Sequence, residues 1–205
     1  MDISINVDVL CAGELCGRST CLIINPIHAR ITHLVVIEND FPYIERLVPV
    51  ETIMDSSPNS IQLRCNKAQL FEMEPFKEAD FLNAGQLEST LPYGVPYLIW
   101  PYSMYDGMPI LLEHELIPAG EVSIRRGTPV KAKDGRVGKV DEFLVDPKND
   151  IITHLVLREG HLWGKKDVTI PVSEIDRITD DAVYLKLGKK VIATLPTVPV
   201  HRNWK

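Results

Sequence analysis

The side chains best suited to chemistry stand at matched places in the chain. His33 and His154 each lie in the run Ile-Thr-His-Leu-Val, as Ile31-Thr32-His33-Leu34-Val35 and Ile152-Thr153-His154-Leu155-Val156. An imidazole can ligate a metal or move a proton near neutral pH. Either task needs a further ligand or charge partner, and none accompanies either histidine at useful spacing. A histidine that follows Thr at the start of an apolar strand can instead cap a turn or bond a neighbouring carbonyl. His33 and His154 are therefore read as parts of the architecture, and no metal or cofactor is expected.

Cys11-x4-Cys16-x4-Cys21 and Cys65 all fall in the first third of the chain. The spacing lacks the close Cys-x2-Cys pair of zinc knuckles and redox motifs, and the second half folds without cysteine. A disulfide framework is not expected, and the thiols read as small buried apolar side chains. There is no phosphate-binding glycine loop, nucleophile elbow or dinucleotide fingerprint, and His114-Glu115 lacks the second histidine of a zinc protease. No catalytic residue is nominated, and the chain is read as not an enzyme.

Contact chemistry is easier to find. In Glu159-Gly160-His161-Leu162-Trp163-Gly164-Lys165-Lys166 an indole lies between glycines and beside two lysines, an amphipathic and cationic loop. His161, Trp163, Lys165 and Lys166 are its candidate partner-binding residues. Trp100 and Tyr102 join them from the run Leu91-Pro92-Tyr93-Gly94-Val95-Pro96-Tyr97-Leu98-Ile99-Trp100-Pro101-Tyr102, whose proline density argues against helix or central strand. The loop Asn39-Asp40-Phe41-Pro42-Tyr43 is aromatic as well, but acidic.

The elements that must position these groups come in two sets. At an offset of 121 residues Ile31–Val35 meets Ile152–Val156, Gly17 meets Gly138 and Asn25-Pro26 meets Asp146-Pro147. At an offset of 122, Val48-Pro49-Val50 meets Ile170-Pro171-Val172 and Leu63 meets Leu185, so one residue is inserted around His161 to Lys165. Self-similarity on this scale marks a duplicated unit. In the second copy strands are expected over 128–132, 137–145, 151–158, 167–171 and 182–187, with an Asp134-Gly135 hairpin turn. In the first they are expected over 5–11, 16–25, 31–38, 44–49 and 61–65. So few short strands on a local path must curl into a barrel, because a flat sheet would leave both edges open. Domains are placed at 1–70, a connector at 71–120, the second copy at 121–195 and a tail at 196–205.

Hydrophobic residues make up 45% of the 205 and charged residues 24%, which is ordinary globular composition. Acids in Met1–Asp8 argue against a secretory leader, and no apolar run is long enough to span a bilayer. A cytoplasmic location is expected. The net charge of −6 is unevenly spread. Residues 71–120 hold acids against a single Lys77, whereas Arg125, Arg126, Lys131, Lys133, Arg136 and Lys139 make the start of the second copy basic. RNA or an acidic membrane surface could use such a face, although Asp141, Glu142 and Asp146 interrupt it.

Asp134-Gly135-x2-Gly138-x-Val140, Val145-Asp146-Pro147, Ile152–Val156 and Ile170-Pro171-Val172-x2-Ile175 together resemble the PRC-barrel family. Its members include the cytoplasmic domain of the photosynthetic reaction-centre H subunit and the C-terminal domain of a ribosome maturation factor. The first copy fits more loosely, since Gly13 falls opposite Asp134. The resemblance implies an all-β protein made of two small PRC-type barrels in tandem, joined by the Pro/aromatic connector. Gly17, Gly138, His33, His154, Pro49 and Pro171 form its repeated structural motif. It implies a prokaryotic scaffold that binds a protein partner and no catalytic residues. The alternatives are an RNA- or ribosome-associated factor, and a peripheral subunit of a membrane photosynthetic or electron-transfer complex.

Overall fold

The computed structural model describes residues 2–82, 110–146, 148, 151–159 and 167–195. Two units emerge, one formed by Met1–Phe76 with Ile117–Lys205 and the other by Lys77–Leu116.

The first unit opens with β1 (Asp2–Ser4) and then builds a curled sheet from β2 (Asp8–Cys11), β3 (Glu14–Asn25), β4 (Arg30–Glu38), β5 (Glu45–Pro49), β6 (Ile53–Ser56) and β7 (Ser60–Leu63). The smaller unit holds one antiparallel pair, β8 (Lys77–Leu82) with β9 (Ile110–Glu115), in the register Lys77 to Glu115. After β10 (Val122–Arg125), a second sheet follows from β11 (Pro129–Ala132), β12 (Gly135–Val145), β13 (Ile152–Glu159), β14 (Asp167–Pro171), β15 (Ile175–Ile178) and β16 (Val183–Leu185). The first sheet runs β5-β4-β3-β2-β7-β6 and the second β14-β13-β12-β11-β16-β15, which is one order used twice. The protein is all-β, as its sequence implies. Pro49 and Pro171 do the same work in each sheet, ending β5 and β14 and opening the 3-10 turns Val50–Thr52 and Val172–Glu174.

Residues 5–11 are expected as one strand, but the structure breaks them at Asn6. Asn6 has φ 66°, and Gly127, 121 residues on, has φ 94°. Both lie in the left-handed region, which turns the chain sharply and which Gly and Asn tolerate best. The turns send β1 and β10 away from the strands that follow them. β1 pairs with β12 of the second sheet, Ile3 opposite Phe143. β10 pairs with β3 of the first, Ile124 opposite Leu22. These two registers are equivalent under the 121-residue offset, so the barrels have traded strands reciprocally. Arg30 bridges Ile151 at the centre of the joint, one equivalent position meeting the other. Self-complementary contact of this kind defines a two-fold interface. Here it lies within one chain.

A bulge makes the exchange possible. β3 shifts register between Ser19 and Cys21, and β12 between Val140 and Glu142. Each long strand bends there, its first half pairing with its own hairpin partner and its second half with the traded strand. The run Cys21-Leu22-Ile23-Ile24 is apolar throughout because both of its faces are covered. Leu22 and Ile24 join the main core, whereas Cys21 and Ile23 pack with Val35, Leu47 and Phe76 on the other side. The main core takes residues from both barrels without a break.

The buried acid Glu38 accepts from Arg46 Nε at 2.6 Å, and Arg46 also donates to the Met73 carbonyl at 2.9 Å. Arg46→Ala leaves that carboxylate buried without its cation, and the expected cost is about 3 kcal/mol by urea denaturation. A loss well under half of that would show that water replaces the guanidinium.

Two expectations about local structure change. Cys11 and Cys16 form a disulfide with Cα atoms 5.9 Å apart, instead of lying as separate buried thiols. The reason is the tight turn at Ala12-Gly13, both at positive φ, followed by a register shift that brings two inward positions together across the hairpin. Cys21 and Cys65 stay as buried thiols, and burial pushes the Cys65 thiol up from its usual pKa. Strands β1, β6, β8, β9, β10 and β15 fall outside the expected strands, as do the short helices Lys67–Phe71 and Lys189–Ile192. The first helix carries a reciprocal capping box between Asn66 and Gln69. Pro147, Asn149 and Asp150 of the turn after β12, the loop with the inserted residue and the Pro/aromatic run of the connector lie outside the described residues.

Candidate functional site

His161, Trp163, Lys165, Lys166, Trp100 and Tyr102 all fall outside the described residues. The repeated motif is described in full. Gly17 and Gly138 lie where β3 and β12 pass close to β4 and β13. A Cβ on Gly17 would run into the Ile37 carbonyl oxygen, and one on Gly138 would sit 2.6 Å from that of Arg158. His33 faces Ile23 and Pro49 across its strand neighbours, and His154 faces Leu144 and Pro171 in the same way.

The two histidines differ in their partners. Thr32 Oγ1 donates to Glu121 at 2.6 Å, and His33 Nδ1 lies 3.1 Å from that hydroxyl and 3.9 Å from the Glu121 carboxylate. The group ties the approach to β10 onto β4. Among the described residues no set of three or more His, Cys, Asp or Glu side chains converges on a common point.

Chemistry that could recognise a partner gathers in two other places. At one end of the first barrel Leu15, Phe41 and Tyr43 are exposed, Phe41 to 86%. Phe41 and Tyr43 meet edge to face with ring centroids 6.2 Å apart. Their loop is held from several sides: Glu38 N–H donates to Ile44, Asn39 N–H to Cys16, and the Asn39 amide to Leu15. Lys67 pairs with Asp40 at 2.6 Å. Tyr43 itself is kept at φ 61°, an unfavourable conformation for an aromatic residue, with its N–H bonded to Asp40 at 2.7 Å. Backbone strain of this kind persists only where the surroundings over-determine it, and it concentrates at binding sites. The result is a firmly presented aromatic tip.

On the second barrel Lys131, Tyr184 and Arg177 stand side by side across β11, β16 and β15. Lys131 Nζ donates to the Tyr184 hydroxyl at 3.3 Å and lies 5.0 Å from the ring centre. The Arg177 guanidinium carbon is 4.2 Å from the same centre. Two cations therefore share one aromatic ring. The Tyr184 hydrogen bond, helped by Asp181 at 3.5 Å, outweighs desolvation and holds the Lys131 ammonium above the usual lysine pKa. A hydrogen bond from Thr179, with Lys131 nearby, keeps the Asp181 carboxyl below its usual value. In the first barrel the equivalent row reads Leu10, Gln62 and Asp55.

Sequence reasoning singled out Lys131 as one of several basic residues, and it passed over Tyr184, Arg177 and Leu15. The available signal was the difference between the copies, Gln62 against Tyr184 and Asp55 against Arg177, at positions where their strands otherwise agree.

Two curled sheets with exposed aromatic and cationic patches define a small β-barrel protein. Residues 126–192, which span the second barrel, match the family model of the PRC-barrel domain. No curated protein matches the chain. Among the described residues no helix is long and apolar enough to cross a membrane.

Proposed function

We propose that this protein is a non-catalytic adaptor built from two PRC-type barrels, which uses the aromatic tip of the first barrel to bind a protein partner. One observation carries the reading. The interiors and the strand order of the two barrels are alike, while their exposed patches differ in kind, apolar at Leu15, Phe41 and Tyr43 and cationic at Lys131 and Arg177. A duplicated scaffold with unlike surfaces is suited to holding more than one contact. The traded strands fix the spacing between those contacts.

The tip has the chemistry of a binding anchor: large apolar side chains, one with a polar end, on a loop that needs no ordering when a partner arrives. Trp163, with His161, Lys165 and Lys166, would be the corresponding element of the second barrel. Trp100 and Tyr102 would extend the contact from the connector. The work is assigned to a prokaryotic cytoplasm.

A photo-crosslinking amino acid at position 41 is expected to join the chain to one recurrent protein in the native cell. Phe41→Ala with Tyr43→Ala should cut recovery of that protein about tenfold with the thermal midpoint unchanged. Trp163→Ala should lower it in a second, independent step. Recovery untouched by the tip substitutions would refute the assignment. Ribosomal RNA that is released at moderate salt, in place of a protein, would favour the ribosome-associated alternative. Recovery with a membrane complex would favour the peripheral-subunit one.

A further inference from the structure

We propose that the row Lys131, Tyr184 and Arg177 is a second docking surface, which takes an acidic segment of a partner protein across β11, β16 and β15. This goes beyond the aromatic tip and uses the opposite chemistry.

The row is assembled rather than incidental. Its members come from three strands, are in register with one another, and meet around one ring. The fold does not require them, because the first barrel closes the same row with Leu10, Gln62 and Asp55. Nor does burial require them. Arg177 is exposed, and the Lys131 side chain keeps 39% of its surface in water. A cation placed over an aromatic ring loses little further freedom on binding, and the in-plane donors of a guanidinium suit a carboxylate in bidentate fashion. Lys133 and Lys186 stand one residue past the ends of β11 and β16, two positions on from Lys131 and Tyr184, and both are exposed, with Lys186 Nζ also donating to the Ser173 carbonyl. A run of carboxylates laid along the strands would meet a cation at each step.

The occupant is argued from charge and from the ring. Nucleic-acid binding of this type uses an aromatic face as a stacking platform for bases. Here Arg177 and Lys131 already occupy the neighbourhood of the Tyr184 ring. The acids Asp134, Asp176, Asp180 and Asp181 are exposed around the row and would repel a continuous phosphate backbone. Separate carboxylates on a flexible polypeptide can pass between them.

The test titrates the full chain with a short fluorescein-labelled peptide in which glutamates alternate with serine and glycine, at low salt, followed by fluorescence anisotropy, with a single-stranded RNA of equal charge in parallel. Binding of the peptide, weaker binding of the RNA, and a loss of about tenfold in peptide affinity for Lys131→Gln with Arg177→Gln are expected. Arg177→Asp installs the residue that the first barrel carries at Asp55, so the fold tolerates it, and it should abolish binding. Phe41→Ala with Tyr43→Ala should leave the titration unchanged, which separates this surface from the aromatic tip. Absence of peptide binding, an affinity indifferent to both sets of row substitutions, or tighter binding of the RNA would each overturn the proposal.

Discussion

Ile3→Ala, a change three residues before the turn at Asn6, is expected to destabilise the second barrel, whose strands begin more than a hundred residues later. Ile3 is fully buried and its strand pairs with β12, Ile3 opposite Phe143, while also passing beside β6 and β7 of the first sheet. Removing its branched side chain costs the transfer term and leaves a cavity, about 3 kcal/mol for a buried aliphatic residue. Ile124→Ala is the mirror experiment, because Ile124 is equally buried and lies opposite Leu22 of β3. Hydrogen exchange resolved by peptide should show amides of residues 141–145 losing protection in the first variant and amides of 20–25 in the second. Both variants should keep one cooperative denaturation transition, since each barrel contains a strand of the other and a continuous core joins them. Two separate transitions, with Ile3→Ala moving only the one that belongs to residues 5–76, would contradict the reciprocal exchange.

The exchange marks the boundary of what the sequence discloses. Period-2 alternation and turn residues are local signals, and they placed β4, β5, β13 and β14 to within about a residue or two of their observed ends. The repeated Ile-Thr-His-Leu-Val run and the paired prolines tied the copies together for the same reason. The partner of Ile3 is a different kind of fact. Alternation at Ile3 and Ile5 says that these residues bury one face, and nothing near them in sequence says against which sheet. The deciding residues are Asn6 and Gly127, whose positive φ redirects the chain. In the sequence they are simply an asparagine and a glycine with no visible kinship. The Lys131, Tyr184 and Arg177 row was hidden in a similar way. Lys131 meets Tyr184 through a parallel pairing of strands far apart in the chain, and that register follows from barrel closure. The disulfide needed the bulge after Val9, which hydrophobic patterning does not reveal. Phe41 and Tyr43 were readable as aromatic loop residues, but not as an exposed tip with Leu15, which sits at the start of a long strand whose apolar residues are otherwise buried.

Gly17→Ala and Gly138→Ala should rank among the most damaging single substitutions in the chain, although each adds one methyl group. Neither glycine is required for its φ; what each supplies is space. Gly17 pairs with Glu38 and Gly138 with Glu159, at the point where each long strand coils tightly against its neighbour before the bulge. The new Cβ would meet the backbone oxygen of Ile37 in one barrel and of Arg158, at 2.6 Å, in the other. A side chain could rotate away, but a carbonyl held in a ladder can move only with its strand. Overpacking of a core costs about 1–3 kcal/mol when side chains can adjust, and the cost here should reach or pass the top of that range. The Gly17 contact is the closer one, so Gly17→Ala should lower the denaturation midpoint more than Gly138→Ala. The second barrel supplies a sharper control, because Leu157 Cδ1 also lies 2.6 Å from the added atom. If that side chain were the obstacle, Leu157→Ala would restore a Gly138→Ala protein. The carbonyl of Arg158 is the fixed obstacle, so the double variant should be less stable than either single one. Rescue would place the strain in the side chain and leave the close strand crossing without a role in closing the barrel.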